Sequence, residues 1–502
     1  MTQRTALFVL LFTSYAYFYQ AGGWNQNSRF DLVRAITNER TLSIDPFQHS
    51  TGDKAFFEGH YYSDKAPGLA LSAVPLVAAV RPVLRAFGGD PETYGGLALL
   101  SYLSTVVTAG LFTALAGVCL FTLCVELGAS PAGGLFAALT FGLATPIWTL
   151  ATIFIGHAFS AALLLFALRA ATQIRGDNAS RDTWHGAMVG LGAGWATVSD
   201  FPAAVPATLL AALAAVYAWP LGYARATRIL GTLTLAALAC AAVLMTYQYA
   251  CFGSPFHLAY SSEHGYEGMQ RGLFGVNLPK MVRLREVLFG AYRGLLPLAP
   301  SLVVAPFGLV VLMLKGAHAR RVAIVATIIA VYYILLNAGY EYWEGGWSYG
   351  PRQLSPAIPF LCIGLAPLWT VAPRFLGWAL AAVSAYGAII TLVAVSTMPL
   401  PPANIRRPMT ELLLPAFRDG DLALNTQSFA AGSVDADFRA HHEPKVAFNL
   451  GMKMGLTGQA SLLPLVIVML GCAAALTGAA VRRRTASSES SGSESPGPRE
   501  SA

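Results

Sequence analysis

Apolar stretches recur along nearly the whole chain and are separated by short polar turns. Each stretch approaches the roughly 20 residues that a helix needs to cross about 30 Å of hydrocarbon. The stretches are rich in Leu, Ala, Val and Gly and lack the two-residue alternation of a membrane β-strand. The pattern predicts an all-α, polytopic integral membrane protein with about 12 transmembrane helices. The predicted spans are residues 5–21, 95–125, 131–149, 154–171, 185–200, 203–219, 229–249, 298–314, 322–338, 354–371, 376–397 and 461–481.

Basic residues cluster in short turns between these spans, at 169–181, 225–228, 315–321, 374 and 482–484. Because short cytoplasmic loops carry an excess of Lys and Arg, we expect all five turns on the cytoplasmic side. This topology predicts an inner-membrane, multi-pass protein with both termini in the cytoplasm.

The predicted topology requires that residues 68–83 do not cross the membrane, since one more span would move every basic turn outside. The segment is short and contains Pro75 and Pro82. It is interpreted as an interfacial or re-entrant helix in one long outer loop, 22–94, which also holds a short amphipathic helix near 33–42. The alternative is that it spans and that a later hairpin is missing.

Composition agrees with a chain whose main solvent is lipid. Of the 502 residues, 55% are hydrophobic and 12% are charged, with a mean hydropathy of +0.53, whereas soluble domains carry roughly 25% charged residues. The net charge of +7 is spread over the turns instead of one face, so no nucleic-acid partner is predicted. The six cysteines are scattered without metal-type spacing, and any divalent-metal requirement stays open.

The domain prediction follows the spans. Residues 1–397 are expected to form the transmembrane module, 398–460 an outer, periplasmic segment, 461–481 the last span, and 482–502 a disordered cytoplasmic tail rich in Ser, Gly, Pro and Glu. Adjacent His441 and His442 in the outer segment are poorly spaced for zinc. Acceptor recognition is the role expected of this segment.

The first outer loop holds most of the candidate chemistry. A carboxylate held by a neighbouring cation stays ionised and can accept a proton from a hydroxyl group. The candidate bases are Asp31, Asp53 and Asp64, the candidate phosphate contact is Lys65, and the other candidate pocket residues are Arg29, His60 and Tyr61. The alternative is a solvated loop whose surface ion pairs contribute little.

Two later outer segments carry further candidates. Segment 250–297 is rich in Lys and Arg on the side where they are unfavoured, which suggests an anionic ligand such as a phosphate on Arg293; snorkelling at helix ends is the alternative. Segment 340–352 combines aromatics, acids, paired glycines and an Arg, and favours a shaped pocket over a simple aromatic belt. Its candidates are Glu341, Glu344 and Trp347, with Arg352 as a phosphate contact.

Two ionisable residues fall at the outer ends of spans, His157 and Asp200. Ionisable residues at such positions are candidates for function. The alternatives are a His that caps a helix end and an Asp that caps the next span.

The loop ending Tyr62-Ser63-Asp64-Lys65-Ala66-Pro67-Gly68 and the segment Gly345-Gly346-Trp347-Ser348-Tyr349-Gly350-Pro351-Arg352 resemble the GT-C membrane glycosyltransferases. The similar branch contains the protein O-mannosyltransferases and lipid A aminoarabinose transferases, and the resemblance covers residues 1–370. It implies transfer of a sugar from a polyprenyl-phosphate donor to a periplasmic lipid, glycan or protein acceptor. It further implies an outer-loop carboxylate as base, Arg or Lys on the departing lipid phosphate, and no nucleotide-binding domain or certain cofactor.

One departure from the family pattern concerns the base. The family often has an Asp-Glu pair soon after the first span, where this chain has Asn25-Gln26-Asn27. The base is therefore open among Asp31, Asp53 and Asp64. A polytopic transporter or lipid flippase and a non-catalytic assembly subunit are the competing hypotheses, although transporters usually place their polar groups near the bilayer midplane.

Overall fold

The structure, a computed structural model, describes residues 2–175, 181–427, 429 and 446–492, with side chains up to 478. The α-helices are α1 Gln3–Ala16, α2 Trp24–Arg34, α3 Gly68–Ala86, α4 Tyr94–Thr105, α5 Leu111–Glu126, α6 Pro131–Leu143, α7 Ile147–Ala151, α8 Gly156–Gln173, α9 Asp182–Ser199, α10 Ala204–Ala218, α11 Tyr223–Phe252, α12 Met281–Phe289, α13 Leu295–Leu298, α14 Ala305–Leu314, α15 Ala317–Gly339, α16 Ile358–Ile363, α17 Leu365–Val371, α18 Arg374–Thr397, α19 Leu414–Asp419, α20 Leu450–Lys453 and α21 Leu463–Gly492. The strands are β1 Phe18–Tyr19, β2 Lys54–Phe57, β3 His60–Ser63 and β4 Phe448–Asn449.

The predicted fold class is confirmed: the chain is a helical, multi-pass membrane protein. Within the described residues, 8 helical segments are long and apolar enough to cross a membrane, and Pro131–Leu143 and Pro300–Leu314 are shorter apolar helices. The count of 12 spans remains a prediction. Helix α21 continues to Gly492, beyond the predicted end at 481, and His441 and His442 lie outside the described residues.

Three of the predicted basic turns lie at one face of the bundle. Arg169 at the end of α8 pairs with Glu126 at the end of α5 (2.7 Å), and Arg225 pairs with Asp182 across the starts of α11 and α9 (2.8 Å). Lys315 donates to the carbonyl of Gly128. We call the other face, formed by 17–93, 253–294, 340–351 and 398–427, the loop face.

Helix α3 is one of the segments long and apolar enough to span, yet its contacts keep it at the loop face. Near its start, Trp195 of α9 donates to Ser72 (2.9 Å). Arg81, nine residues or about 14 Å further along by helical rise, bonds Glu92 (2.6 Å), which also accepts from Asn38 of the first loop. A crossing helix would carry Arg81 into the membrane, away from Glu92 and Asn38. These contacts support the interfacial interpretation, although the helix, at 19 residues, is longer than the sequence suggested.

Segments distant in sequence are joined on the loop face. Strands β1 and β4 pair antiparallel beside the end of α1, and β2 and β3 form a hairpin. Buried Asn425 donates to the carbonyls of Gln20 and Gly22. The described parts of segment 398–460 therefore pack onto the first loop and form part of the same layer.

Small residues allow close helix packing in the bundle. A Cβ on Gly308 of α14 would collide with the carbonyl of Gly364, and a Cβ on Gly190 of α9 would collide with the carbonyl of Leu233 on α11. Such contacts replace the hydrophobic driving force that helices lack in lipid. They hold rigid helix ends beneath the loop face.

Cysteine labelling tests the position of α3. Phe87, just past its end, is strongly exposed, as are Gly59 at the hairpin tip and Trp219 in the turn between α10 and α11. We expect Phe87→Cys and Gly59→Cys to react with an impermeant thiol reagent from the same side of sealed vesicles, and Trp219→Cys from the other. The unsubstituted protein, whose described cysteines are largely buried, supplies the background. Labelling of Phe87→Cys from the side of Trp219→Cys would mean that α3 crosses.

Candidate active site

The centre of the loop face is an ion triad in which one ammonium bridges two carboxylates. The Nζ atom of Lys65 lies 3.0 Å from Asp53 Oδ2 and 2.7 Å from Asp64 Oδ2. The three side chains are 13%, 9% and 2% exposed, so water screens the interactions little. Asp64 also faces the hydroxyl of Ser28 on α2 (3.4 Å).

The β2–β3 hairpin explains why residues 53 and 64 meet. Lys54 pairs with Ser63 in the hairpin register, and Asp53 and Asp64 are the next positions on the two chains. Directly opposed residues in an antiparallel pair lie about 4.5–5.5 Å apart at Cβ. Two carboxylates at that separation repel, and Lys65 between them compensates the repulsion.

The triad sets which carboxylate is charged. Burial opposes ionisation of Asp53, but Lys65 and then Arg352 outweigh it and hold the pKa of Asp53 below its usual value. Burial raises the pKa of Asp64, with the charge of Asp53 adding to the rise and Lys65 opposing it. Burial works against the charge on Lys65, yet the two carboxylates raise its pKa. Of the two carboxylates, Asp53 is therefore the one whose charged form these groups favour.

A cavity of about 300 Å³ opens beside Asp53. Asp53 is the one carboxylate among its lining residues, and Arg352 is the one cation. The other lining residues are Gly23, Trp24, Asn25, Gln26, Tyr266, Gly345, Gly346, Trp347, Leu400 and Gln427. The amides that replace the family's acidic pair thus lie in the cavity wall.

Arg352 and Arg293, both predicted phosphate contacts, have different environments. The Nε atom of Arg352 is buried without a hydrogen-bond partner, beside the cavity. Arg293 is fully buried and donates to the carbonyls of Tyr292, Glu344 and Gly346 (3.2, 3.1 and 2.8 Å). Its guanidinium holds the turn at Gly345 and Gly346, where φ is +71° and +63°. Arg293 therefore shapes the cavity wall and is absent from the lining.

A second polar cluster lies where α8 begins and α9 ends. His157 Nδ1 is 3.0 Å from Asp200 Oδ2, and Ser160 donates to the same oxygen (3.3 Å). Arg29 on α2 is buried, bonds Asn25 of the cavity wall and the carbonyl of Ala66, and interacts with Asp200, Asp64 and Asp53. Arg29 thus connects this cluster to the triad.

Asp31, the first acid after α1, is separated from the cavity. It is fully buried, accepts from Ser50 (2.6 Å) and pairs with Arg34 (3.4 Å), which lies 3.8 Å from Glu92. Burial raises the pKa of Asp31 to about 7, despite the opposing charge of Arg34. Its contacts are those of a group that anchors α2 to the start of α4.

The remaining predicted pocket residues are dispersed. Exposed His60 pairs with Asp45 at the hairpin tip (2.7 Å), and Tyr61 lies beneath the ammonium of Lys54. Glu341 pairs with Arg283 and Arg271 (3.3 and 3.7 Å). Glu344 contributes its carbonyl to Arg293 and does not line the cavity, whereas Trp347 does.

The sequence prediction missed several residues of this site. Trp24 was not among the predicted residues, Gln26 appeared only in the altered motif, and Tyr266 was not singled out in the basic segment 250–297, although all three line the cavity. The phenol of Tyr266 interacts with Asp53. Glu263 pairs through its main chain with Ala55 of β2. Its position as one of few acids in a basic segment was the available signal. Among the described residues, no group of three His, Cys, Asp or Glu could hold a metal ion.

Fold and site together define a multi-pass membrane protein with a buried charged cavity at one face. No family model and no curated protein sequence matches the chain. Among solved structures, it is similar to ArnT from Cupriavidus metallidurans bound to undecaprenyl phosphate (15% identity, TM-score 0.48, 95% of this chain and 70% of that one) and to ArnT in the apo state (15%, 0.47, 94% and 74%). It is also similar to the archaeal oligosaccharyltransferase AglB from Archaeoglobus fulgidus, in complex with an inhibitory peptide and a dolichol-phosphate (11%, 0.47, 86% and 60%).

Removal of Lys65 should be strongly destabilising, because it leaves two buried carboxylates without their cation. We expect Lys65→Met to lower the free energy of unfolding by about 3–5 kcal/mol, measured by thermal unfolding in detergent. Lys65→Met combined with Asp53→Asn and Asp64→Asn should recover much of the loss. Lys54→Met, in the same hairpin but outside the triad, is the matched control. Equal losses for the two single lysine variants would contradict a special role of the triad.

Substitution of Arg293 and of Arg352 should change the stability of the protein by different amounts. Arg293→Ala leaves three carbonyls without their donor, and we expect a loss on the order of 3 kcal/mol. Arg352→Ala removes a side chain whose Nε has no partner, and we expect a change within about 1 kcal/mol. The measurement is the same thermal unfolding. A larger loss for Arg352→Ala than for Arg293→Ala would reverse the two assignments.

Proposed function

We propose that the protein is a membrane glycosyltransferase that moves a sugar from a polyprenyl-phosphate donor to an acceptor hydroxyl at the loop face. The observation that carries this proposal is the cavity in which an ionised carboxylate, Asp53, and an arginine with a buried unpartnered Nε, Arg352, are the charged lining groups. Transfer of a sugar from a lipid phosphate needs these two elements, a base for the acceptor and a cation for the leaving phosphate.

Asp53 is the proposed base. Its low pKa, maintained against burial by Lys65 and Arg352, keeps it ionised at neutral pH, and it lines the cavity. Asp64 has a raised pKa and accepts a hydrogen bond from Lys65, so its proposed role is to hold the ammonium beside Asp53. Asp31 is paired with Arg34 and fully buried outside the cavity, so we do not propose it as the base.

Arg352 is the proposed main phosphate contact. A guanidinium binds phosphate oxygens through two parallel N–H donors, and its charge offsets the charge that develops on the leaving group. Lys65 supports it, because an ammonium has three donors and the two carboxylates engage two of them. Arg293 serves indirectly, through the carbonyls of Glu344 and Gly346 that shape the wall next to Arg352.

The cavity wall suits a sugar ring. Trp24 and Trp347 present aromatic surface, and Asn25 and Gln26 present amide groups that can bind hydroxyls. A volume of about 300 Å³ lies at the lower end of the range for small-molecule sites. The lipid part of the donor would remain in the bilayer, which explains why no nucleotide-binding domain is required.

The position of the charges favours an enzyme over a transporter. The triad, the cavity and the His157–Asp200 pair all lie at the loop face, at helix ends or in connecting segments. Transporters typically place substrate sites near the bilayer midplane at broken helices. We assign the loop face to the periplasm and both termini to the cytoplasm, as the basic turns predict.

The first test is transfer of labelled sugar from polyprenyl-phosphate donors to membrane acceptors by the purified chain. We expect Asp53→Asn to reduce turnover by about 10²–10⁴-fold, since general base catalysis contributes that much, and Arg352→Ala to reduce it strongly as well. Asp31→Asn is the matched control, a buried carboxylate of the same loop outside the cavity, and should retain most activity.

Three other outcomes are informative. Full activity of a folded Asp53→Asn would remove Asp53 as the base. Loss in Asp31→Asn alone would transfer the role to Asp31. Absence of turnover with every donor, together with substrate flux in liposomes, would show that the protein is a transporter and contradict the proposed enzyme.

A further inference from the structure

Glu263 is an acid whose carboxyl group is poorly satisfied by the protein itself. Neither carboxylate oxygen makes a hydrogen bond of ordinary geometry, although both are shielded from solvent. The Tyr266 main chain offers partial compensation. A shielded polar group without a partner costs free energy, and such groups are retained where a ligand or a mechanism uses them.

The main chain of Glu263 is joined to the hairpin that carries the triad, and its carboxyl interacts with Asp64, Lys65 and Asp53. Its main chain forms an antiparallel bridge with Ala55, and His264 donates to the carbonyl of Lys54, so the segment extends the β2–β3 hairpin. Residues two apart on a strand share a face, so Asp53 and Ala55 lie on one face and Glu263 is the cross-strand neighbour of Ala55. Ala55 is fully buried and small, so it adds little bulk to the face that the two acids share.

The surrounding charges decide the form of the carboxyl. The charged groups that face Glu263 are Asp64, Lys65 and Asp53. Burial, together with the charges of Asp64 and Asp53, raises the pKa of Glu263 to about 8 against the opposing charge of Lys65. At neutral pH the group is therefore a carboxylic acid, with one O–H donor and acceptor oxygens. Such a group matches a sugar hydroxyl, which also donates and accepts.

We propose that Glu263 is a specificity-determining residue, which hydrogen-bonds one hydroxyl of the donor sugar and holds the sugar against Asp53. This inference rests on the proposed function and extends it to recognition of the sugar. The bond satisfies the unpartnered carboxyl, so binding recovers a cost already present in the free protein. A sugar without that hydroxyl leaves the carboxyl unsatisfied and is discriminated against.

The test compares Glu263→Ala and Glu263→Gln with a series of donors, each lacking one sugar hydroxyl. For the complete donor we expect Glu263→Ala to lower kcat/KM roughly tenfold or more, and Glu263→Gln, whose amide also donates and accepts, to retain most of it. For one deoxy donor the difference between wild type and Glu263→Ala should disappear. A purely structural role would lower kcat/KM equally for all donors and would overturn the proposal.

Two controls separate this inference from the proposed function. Glu267→Ala, an exposed acid on the same segment, should leave the donor series unchanged. If the wild type transfers no sugar, the proposed function fails, and the series is measured as binding of the same polyprenyl-phosphate sugars. Equal binding by wild type and Glu263→Ala for every donor, or no binding by the wild type, would then overturn the role of Glu263.

Discussion

The site depends on one ammonium buried between two carboxylates. A lone buried carboxylate would be neutralised by a rise in its pKa, and two carboxylates at the end of a hairpin would repel each other. Lys65 changes both outcomes, because it compensates the pair and allows Asp53 to remain ionised next to a cavity. The hairpin register places residues 53 and 64 opposite each other, and the cation offsets the repulsion that their two charges would create there.

Most other charges of the loop face have structural partners. Arg293 is occupied by main-chain carbonyls, Glu341 by two arginines, and Asp31 by Arg34 and Ser50. These contacts fix the turn before Arg352 and the junction between α2 and α4. Against this background, Arg352 and Glu263 differ because each has a shielded polar atom without a hydrogen-bond partner, and Asp53 differs because it lines the cavity.

The bundle and the loop layer have separate tasks. The helices pack through glycine contacts and hold their ends rigidly, while the polar segments above them build the cavity from elements far apart in sequence. Trp24 follows the first span, Tyr266 follows α11, and Trp347 follows α15. A substrate with a lipid anchor and a polar head fits this division, because its two parts meet the two solvents that the protein separates.

The sequence by itself determined the helical membrane class, the basic turns at one face and the loop that carries Asp53, Asp64 and Lys65, because apolar length and charge position are local properties of the chain. It could not choose among the three aspartates, since burial of Asp31 and exposure of Asp53 to the cavity depend on packing across distant segments. It also could not separate Arg293 from Arg352, because Arg293 donates to main-chain carbonyls that lie 51 and 53 residues away in the sequence. The role of Glu263 could not be predicted for the same reason: only the tertiary structure brings a single acid of a basic segment onto the edge of the hairpin.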